Sequence, residues 1–368
     1  MRVGIDAHSI GSRKAGNETY TYNLVKELSL LKPDGHEYTV YLTQGGTCGG
    51  LGPNGHFRHR RIRPATPCLR IPIAFPLESR MRRLDVFHAQ YFLPPWLRCR
   101  TVLTVHDICY ERFPQFFTKA DYLRNKLAIP WSCRRADRII AISEATKKDL
   151  VELYKIDPER ITVIYEGASG EYKPLDPEPG RERLRAAYQI TGPFILYVGN
   201  LQPRKNLSRL LMAFARLKEK DRIPHQLVIV GQKTWPEDGI SETLRSRALE
   251  NEVILTGYVP VEDLPAFYNA ASFLAYPSIY EGFGLPVIEA MACGTPVITS
   301  FGSSLEEIAG GAAILVDPYS VSSMASVIEK LANDPELQKD LSRRGLANAS
   351  RFSFRKMAEQ TQEVYHHV

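Results

Sequence analysis

The stretch "FILYVGNLQPRKNLSRLLMAFARL", residues 194–217, passes from strand to turn to helix. Its first five residues are apolar and β-prone and stop at Gly199. Leu207, Leu210, Leu211, Phe214 and Leu217 then recur at helical spacing, one face of a helix packed on a sheet. Arg204 and Lys205 fall at the junction, with Asn206 in position to cap the helix. A helix N-terminus already carries partial positive charge, so two cations there are unfavourable until an anion joins them. A diphosphate fits that description, and solvated surface cations are the plain alternative.

The same rhythm extends both ways. Strand candidates in the first half are 2–6, 38–43, 85–89, 101–107, 138–143 and 161–167. In the second half they are 194–199, 226–231, 253–258, 272–278, 295–299 and 313–317. Helical patterns fit between most of them, which predicts parallel sheets covered on both faces. A chain of 368 residues suits two domains. "ASGEYKPLDPEPG", 168–180, with three prolines and two glycines, reads as the linker. The fold class is therefore α/β, with two Rossmann-like, doubly wound domains. Ligands of such sheets bind beyond the carboxyl ends of the strands, so two facing sheets would enclose one cleft. "GGTCGGLGPNG", 45–55, reads as a loop.

A second motif, "YEGFGLPVIEAMACGTPVITS" at 280–300, sets Glu281 and Glu289 around a loop and a helix expected over 286–293. Its glycines allow backbone amides to approach a ligand closely. Carboxylates accept hydrogen bonds from hydroxyl pairs, so two of them separated by free amides suit a molecule with hydroxyls at both ends and phosphate between. A nucleotide sugar has that layout. A loop residue and a helix-surface residue would be the bland reading of Glu281 and Glu289.

Composition excludes other classes. No apolar run reaches the length of a membrane-spanning helix, and the first residues lack a cleavable-signal pattern, so a cytoplasmic protein is expected. Six cysteines, Cys48, Cys68, Cys99, Cys109, Cys133 and Cys293, form no C-x-x-C pair and read as reduced thiols. Residues 1–170 hold 26 Lys and Arg against 17 Asp and Glu, and the remainder 21 against 24. The basic half points to an anionic partner.

Four motifs together resemble glycosyltransferase family 4, a family of retaining enzymes with the GT-B fold: 4–28, "TVHD" at 104–107, "YVGNLQPRKNL" at 197–207, and 276–300. "RFSFRKMAEQTQEVY", 351–365, resembles the family's last helix, which crosses back to the N-terminal domain. The resemblance implies an N-terminal acceptor domain over 1–170, a nucleotide-sugar domain over 171–350 and the crossing helix over 351–368. It implies that Glu281 binds donor-sugar hydroxyls beside the amides of Phe283, Gly284 and Leu285, and that Glu289 binds the ribose. Arg204 and Lys205 would hold the diphosphate, with Asn200 next to them where some relatives carry arginine. His106 would line the sugar site. Gly16, in the first loop, would offer a backbone amide to phosphate. The base would lie against "GYVPVED", 257–263, at Tyr258 and Val259. Gly16-Asn17-Glu18-Thr19-Tyr20 departs from the family's G-x-G-R-Y, so Glu18 is a candidate to face the acceptor instead.

No D-x-D occurs, so no metal is expected, and cations and helix ends must serve the diphosphate. Same-face attack, with the departing phosphate as proton acceptor, suits residues arranged as ligands rather than as a glycosidase pair. The donor implied by the resemblance is GDP-mannose, with a UDP-sugar as the other choice. The acceptor would be a glycan, a lipid-linked sugar or a small molecule. A nucleotide-sugar 2-epimerase and a nucleic-acid-binding protein are rival readings; the crossing helix and "EGFGLP" oppose the first, and no nucleic-acid module supports the second. An anionic membrane surface is a candidate partner, which would make the protein peripheral. Residues 57–83 carry eight arginines among Phe57, Leu69, Ile71, Ile73, Phe75 and Leu77. Residues 112–131 carry Phe113, Phe116, Phe117, Tyr122 and Trp131 among four cations. Core aromatics with solvated arginines explain both segments equally well.

Overall fold

The computed structural model describes residues 1–12, 15–32, 35–43, 56–232 and 240–368. The glycine-rich segment 45–55, with Cys48, lies outside the described residues. The chain forms two compact units, one of residues 1–166 and 353–368, the other of residues 167–352.

The first unit holds seven parallel strands: β1 (Arg2–Asp6), β2 (Glu37–Leu42), β3 (Phe57–Arg61), β4 (Val86–Gln90), β5 (Arg100–Val105), β6 (Arg138–Ala141) and β7 (Ile161–Val163), in the order β3-β2-β1-β4-β5-β6-β7. Helices Phe75–Arg82 and Lys119–Arg135 share one core with this sheet through Phe75, Phe87, Leu103, Ile129 and Ile139. Helix Ala15–Leu30 packs with the C-terminal helix Phe354–His366. Tyr365 of that last helix is fully buried, and its hydroxyl meets His88 Nδ1 at 2.7 Å while His88 Nε2 meets Thr104 Oγ1 at 2.7 Å.

The second unit holds β8 (Phe194–Val198), β9 (Gln226–Val230), β10 (Val253–Gly257), β11 (Phe273–Tyr276), β12 (Val297–Ser300) and β13 (Ile314–Val316), all parallel, in the order β10-β9-β8-β11-β12-β13. Every residue of β8 and β11 is buried, as strands covered on both faces require. Leu207, Leu210, Leu211, Phe214 and Leu217 form the buried face of helix Leu207–Lys218.

All twelve expected strands are present, and β3 is an addition. "FRHRR" carries too many charges to read as a strand, yet Phe57 and the following Ile62 are buried at its ends and its backbone pairs with β2. Charge is tolerated because β3 is an edge strand, and it blunts that edge. The linker also needs correction. Its last four residues begin helix Pro177–Tyr188, where the Asp176 side chain accepts the Glu178 N–H and Pro177 sits in the first turn. Its middle is stapled to the second unit: Leu175 N–H donates to Asn269 Oδ1 at 2.8 Å, and Tyr172 is buried.

The basic aromatic segments divide between the two readings. Phe57, Phe75 and Arg70 are buried. Leu69, Ile73, Leu77 and Met81 are exposed at four-residue intervals along the continuous helical stretch 67–82. Leu123, Leu127 and Trp131 are exposed at the same interval on helix Lys119–Arg135.

Replacing Tyr365 by Phe leaves buried His88 without its Nδ1 partner. An unsatisfied buried polar group costs about 1–3 kcal/mol. Tyr365→Phe is therefore expected to lower the unfolding free energy of the first unit by that amount in urea titrations; an unchanged midpoint would contradict the expectation.

Candidate functional site

The loops at the carboxyl ends of β8 and β11 meet around one carboxylate. Glu281 is 6% exposed. Arg204 Nη1 donates to its Oε2 at 2.8 Å, and Lys205 Nζ lies 2.6 Å from Oε1. The Tyr276 and Ser278 hydroxyls donate to the same Oε1 at 2.9 and 2.6 Å. Burial pushes the carboxyl upward, but Arg204 and then Lys205 outweigh it and hold its pKa down at about 2. The expected conflict between two cations and a helix end is thus answered inside the protein. Arg204 and Lys205 stand on the 3-10 turn Pro203–Lys205, one residue before the helix, with their countercharge supplied by Glu281. Both are largely covered, so they are not solvated surface cations.

Asn206 stands at the cap position in a left-handed conformation and caps nothing with its side chain. Its amide instead donates to the Pro277 and Pro318 carbonyls at 2.9 and 2.7 Å, tying the β11 and β13 loops together. Asn200 is half-buried beside Gly199. A side chain at Gly231 would put its Cβ 2.0 Å from the Gly199 carbonyl oxygen, so only glycine lets the β8 and β9 loops cross so closely.

The 280–284 loop is held from two sides. Arg204 Nη1 donates to the Tyr280 carbonyl at 3.0 Å, and the Ser304 hydroxyl bonds the carbonyls of Glu281 and Phe283. Gly284 has φ +110°, which starts helix Leu285–Ala292 one residue ahead of the expected 286. The Phe283 ring packs edge-on against Phe352, so it serves the core. Leu285 is half-buried at the helix start. Glu289, in the next turn, is buried and accepts the Tyr268 hydroxyl at 2.7 Å. Tyr172 lies near Glu289, and burial followed by that carboxylate drives its phenol pKa strongly upward. Past β10, Tyr258 is exposed and Val259 is buried.

The remaining candidates belong to the first unit. His106 is buried; its Nε2 lies 3.1 Å from Gln90 Oε1 and its Nδ1 lies 3.5 Å from Glu166 Oε1. Gly16 is not in a loop but in the first turn of helix Ala15–Leu30, exposed, with open space where a Cβ would stand. Glu18 accepts the Gly11 N–H at 2.7 Å. Among the described residues no group of three or more His, Cys, Asp or Glu is gathered as for a metal ion.

Residues 15–169 match the family Glycosyltransferase Family 4, and residues 180–347 match Glycosyl transferases group 1. An O-antigen chain mannosyltransferase B of Escherichia coli is 32% identical over 76% of this chain and 74% of that protein. This chain belongs to glycosyltransferase family 4. The serotype-specific mannosyltransferase WbdA of Escherichia coli is 31% identical over 71% of the chain, which spans only 32% of that longer relative. Among solved structures, the sucrose-phosphate synthase of Thermosynechococcus elongatus superposes with a TM-score of 0.80 at 23% identity, over 100% of this chain and 98% of that one. The fold of this glycosyltransferase is accordingly GT-B.

Tyr276, Ser278 and Tyr268 carry the site's hydrogen bonds, and Tyr172 lies near Glu289, without any of them having stood out in the sequence. Tyr276 and Ser278 lie inside the "YPSIYEGFG" motif; Tyr172 and Tyr268 reach Glu289 only through the fold.

The depressed Glu281 carboxyl has a pH consequence. Its contribution to stability is complete above the unfolded value of 4.5 and is lost as pH falls toward about 2. Urea midpoints measured down this window should fall less steeply for Glu281→Gln than for the wild type; parallel curves would mean the pairing contributes nothing.

Proposed function

We propose that this glycosyltransferase moves a mannosyl group from GDP-mannose to a hydroxyl of a glycan or lipid-linked acceptor, with retained anomeric configuration and without a metal ion. A UDP-hexose is the alternative donor. The observation that supports the reading best is the Arg204–Lys205–Glu281 cluster, in a chain whose relative across 76% of its length is named an O-antigen chain mannosyltransferase. Two cations on one carboxylate leave an excess of positive charge for a diphosphate. Those cations are already fixed by Glu281, Tyr276 and the Tyr280 carbonyl, so they need no reorganisation as charge grows on the leaving group. The departing phosphate takes the proton of the incoming hydroxyl as the new glycosidic bond forms. Glu289, oriented by Tyr268, receives the ribose hydroxyls.

Lys205→Ala and Arg204→Ala are each expected to lower kcat by about 10²–10³-fold, the usual loss for one preorganised charge-stabilising donor. Steady-state kinetics with GDP-mannose and UDP-sugars tests this together with the donor. A rise in KM alone would assign the cations to donor binding. Activity should survive EDTA, and the product anomer should match the donor by NMR. An epimerised nucleotide sugar formed without an acceptor would return the epimerase reading.

A lipid-linked acceptor would bring the first unit to the cytoplasmic face of a membrane. The observation favouring this is the pair of exposed apolar rows, 69/73/77/81 and 123/127/131, accompanied by exposed Arg58, Arg63, Arg80 and Arg135. Shallow insertion of such rows combines with headgroup attraction of about 1 kcal/mol per basic residue. Co-sedimentation with anionic vesicles should fall with salt and drop sharply in Ile73→Glu/Leu77→Glu. Protein left in the supernatant at low salt would indicate a water-soluble acceptor.

A further inference from the structure

The polarity of one hydrogen-bond chain in the first unit decides where the protons of His106 stand. The Thr21 hydroxyl donates to the Asn17 carbonyl at 2.7 Å, four residues back in its helix. Its oxygen must then accept, and Gln90 Nε2 donates to it. Gln90 therefore turns its carbonyl oxygen, Oε1, toward His106 Nε2 at 3.1 Å. An amide oxygen only accepts, so Nε2 of His106 carries a hydrogen. In a neutral imidazole the other nitrogen, Nδ1, would then present a lone pair, and it faces the Glu166 carboxylate at 3.5 Å. Both side chains are buried, 6% and 3% exposed, so water does not separate these repelling groups. One proton between them removes the conflict. Imidazole is the stronger base of the two, so the proton belongs on Nδ1.

We propose that Glu166 is a positioning residue of the transfer reaction, holding His106 in the orientation and doubly protonated form in which Nδ1–H can donate to an oxygen of the reactants. The assignment to transfer rests on the reading under Proposed function; the proton assignment stands without it. The contact of 3.5 Å is an ion pair but too long for a strong hydrogen bond, so Nδ1–H can still donate to a ligand oxygen that comes closer. His106 follows the last residue of β5, at the end of the sheet where ligands of open α/β sheets bind. The titratable groups around the ring are Glu166 beyond β7, Asp107 beside it, Tyr20 edge-on at 4.8 Å from helix Ala15–Leu30, Tyr91 at 5.3 Å after β4, and His88 on β4. Burial, then the neighbouring His106, lower the His88 pKa to about 3, so His88 is neutral. Asp107 accepts the Cys109 N–H at 3.0 Å, which occupies it elsewhere.

The experiment is nitrogen-15 NMR of histidine-labelled full-length protein without ligand, with His106→Gln identifying the signals. Wild type should show both His106 nitrogens protonated. At the same pH, Glu166→Gln should show Nδ1 unprotonated, and Glu166→Asp should restore part of the protonated signal. An unprotonated Nδ1 in wild type, or no change in Glu166→Gln, would overturn the proposal. In kinetics, Glu166→Gln should lose about 10- to 100-fold in kcat with KM little changed, the range of one charge-assisted hydrogen bond. Glu166→Asp should recover part of that loss. A kcat equal to wild type would overturn the positioning role even where the proton shift is seen. If wild type transfers no sugar, the transfer reading fails, with Glu166's part in it, and the NMR result alone decides the proton pair.

Discussion

A buried carboxylate must be met by positive charge or lose its own charge, and that constraint organises the second unit. Glu281 sits after β11, whereas Arg204 and Lys205 sit after β8, so the pairing locks two neighbouring strand ends to each other. Removing one partner of a buried pair typically costs about 3–5 kcal/mol, because the other is left uncompensated. The surrounding backbone is shaped to allow the approach. Gly199 and Gly231 let adjacent loops nearly touch, Gly284 turns the chain into its helix, and the Asn206 amide spans two further loops.

The first unit meets the same problem with a different solution. Its buried polar groups form relays that cross from helix to sheet: Thr21 to Gln90 to His106 to Glu166, and Tyr20 to Thr104 to His88 to Tyr365. Each member donates or accepts in a direction fixed by its neighbour. Such chains specify tautomers as well as positions, since a hydroxyl or amide turned the wrong way leaves a lone pair against a lone pair.

The strand–turn–helix rhythm was legible because parallel strands covered on both faces must be apolar throughout, and "FILYV" and "FLAY" are. β3 was not, since "FRHRR" is an edge strand anchored by Phe57 and Ile62 with only a half-buried middle between them. Arg204, Lys205, Glu281 and Glu289 could be nominated from local context. That Glu281 pairs with both cations could not, because the contact spans more than seventy residues of chain. Tyr172 was hidden for a further reason: it lies in a proline-rich stretch that reads as linker, and only the fold brings it to Glu289. Gly16 reads as a loop glycine, but the helix simply begins one residue earlier.

The placement of residues 353–368 bears on how the chain is made. They belong to the unit that begins at Met1, yet they follow the whole of 167–352 in sequence. During synthesis the second unit has all its residues available while the first still lacks the helix that covers helix Ala15–Leu30 and supplies Tyr365 to His88. The unit translated first is therefore the one completed last. Until then, the apolar face of helix Ala15–Leu30 and one nitrogen of a buried histidine wait in the nascent protein for a segment that has not yet left the ribosome.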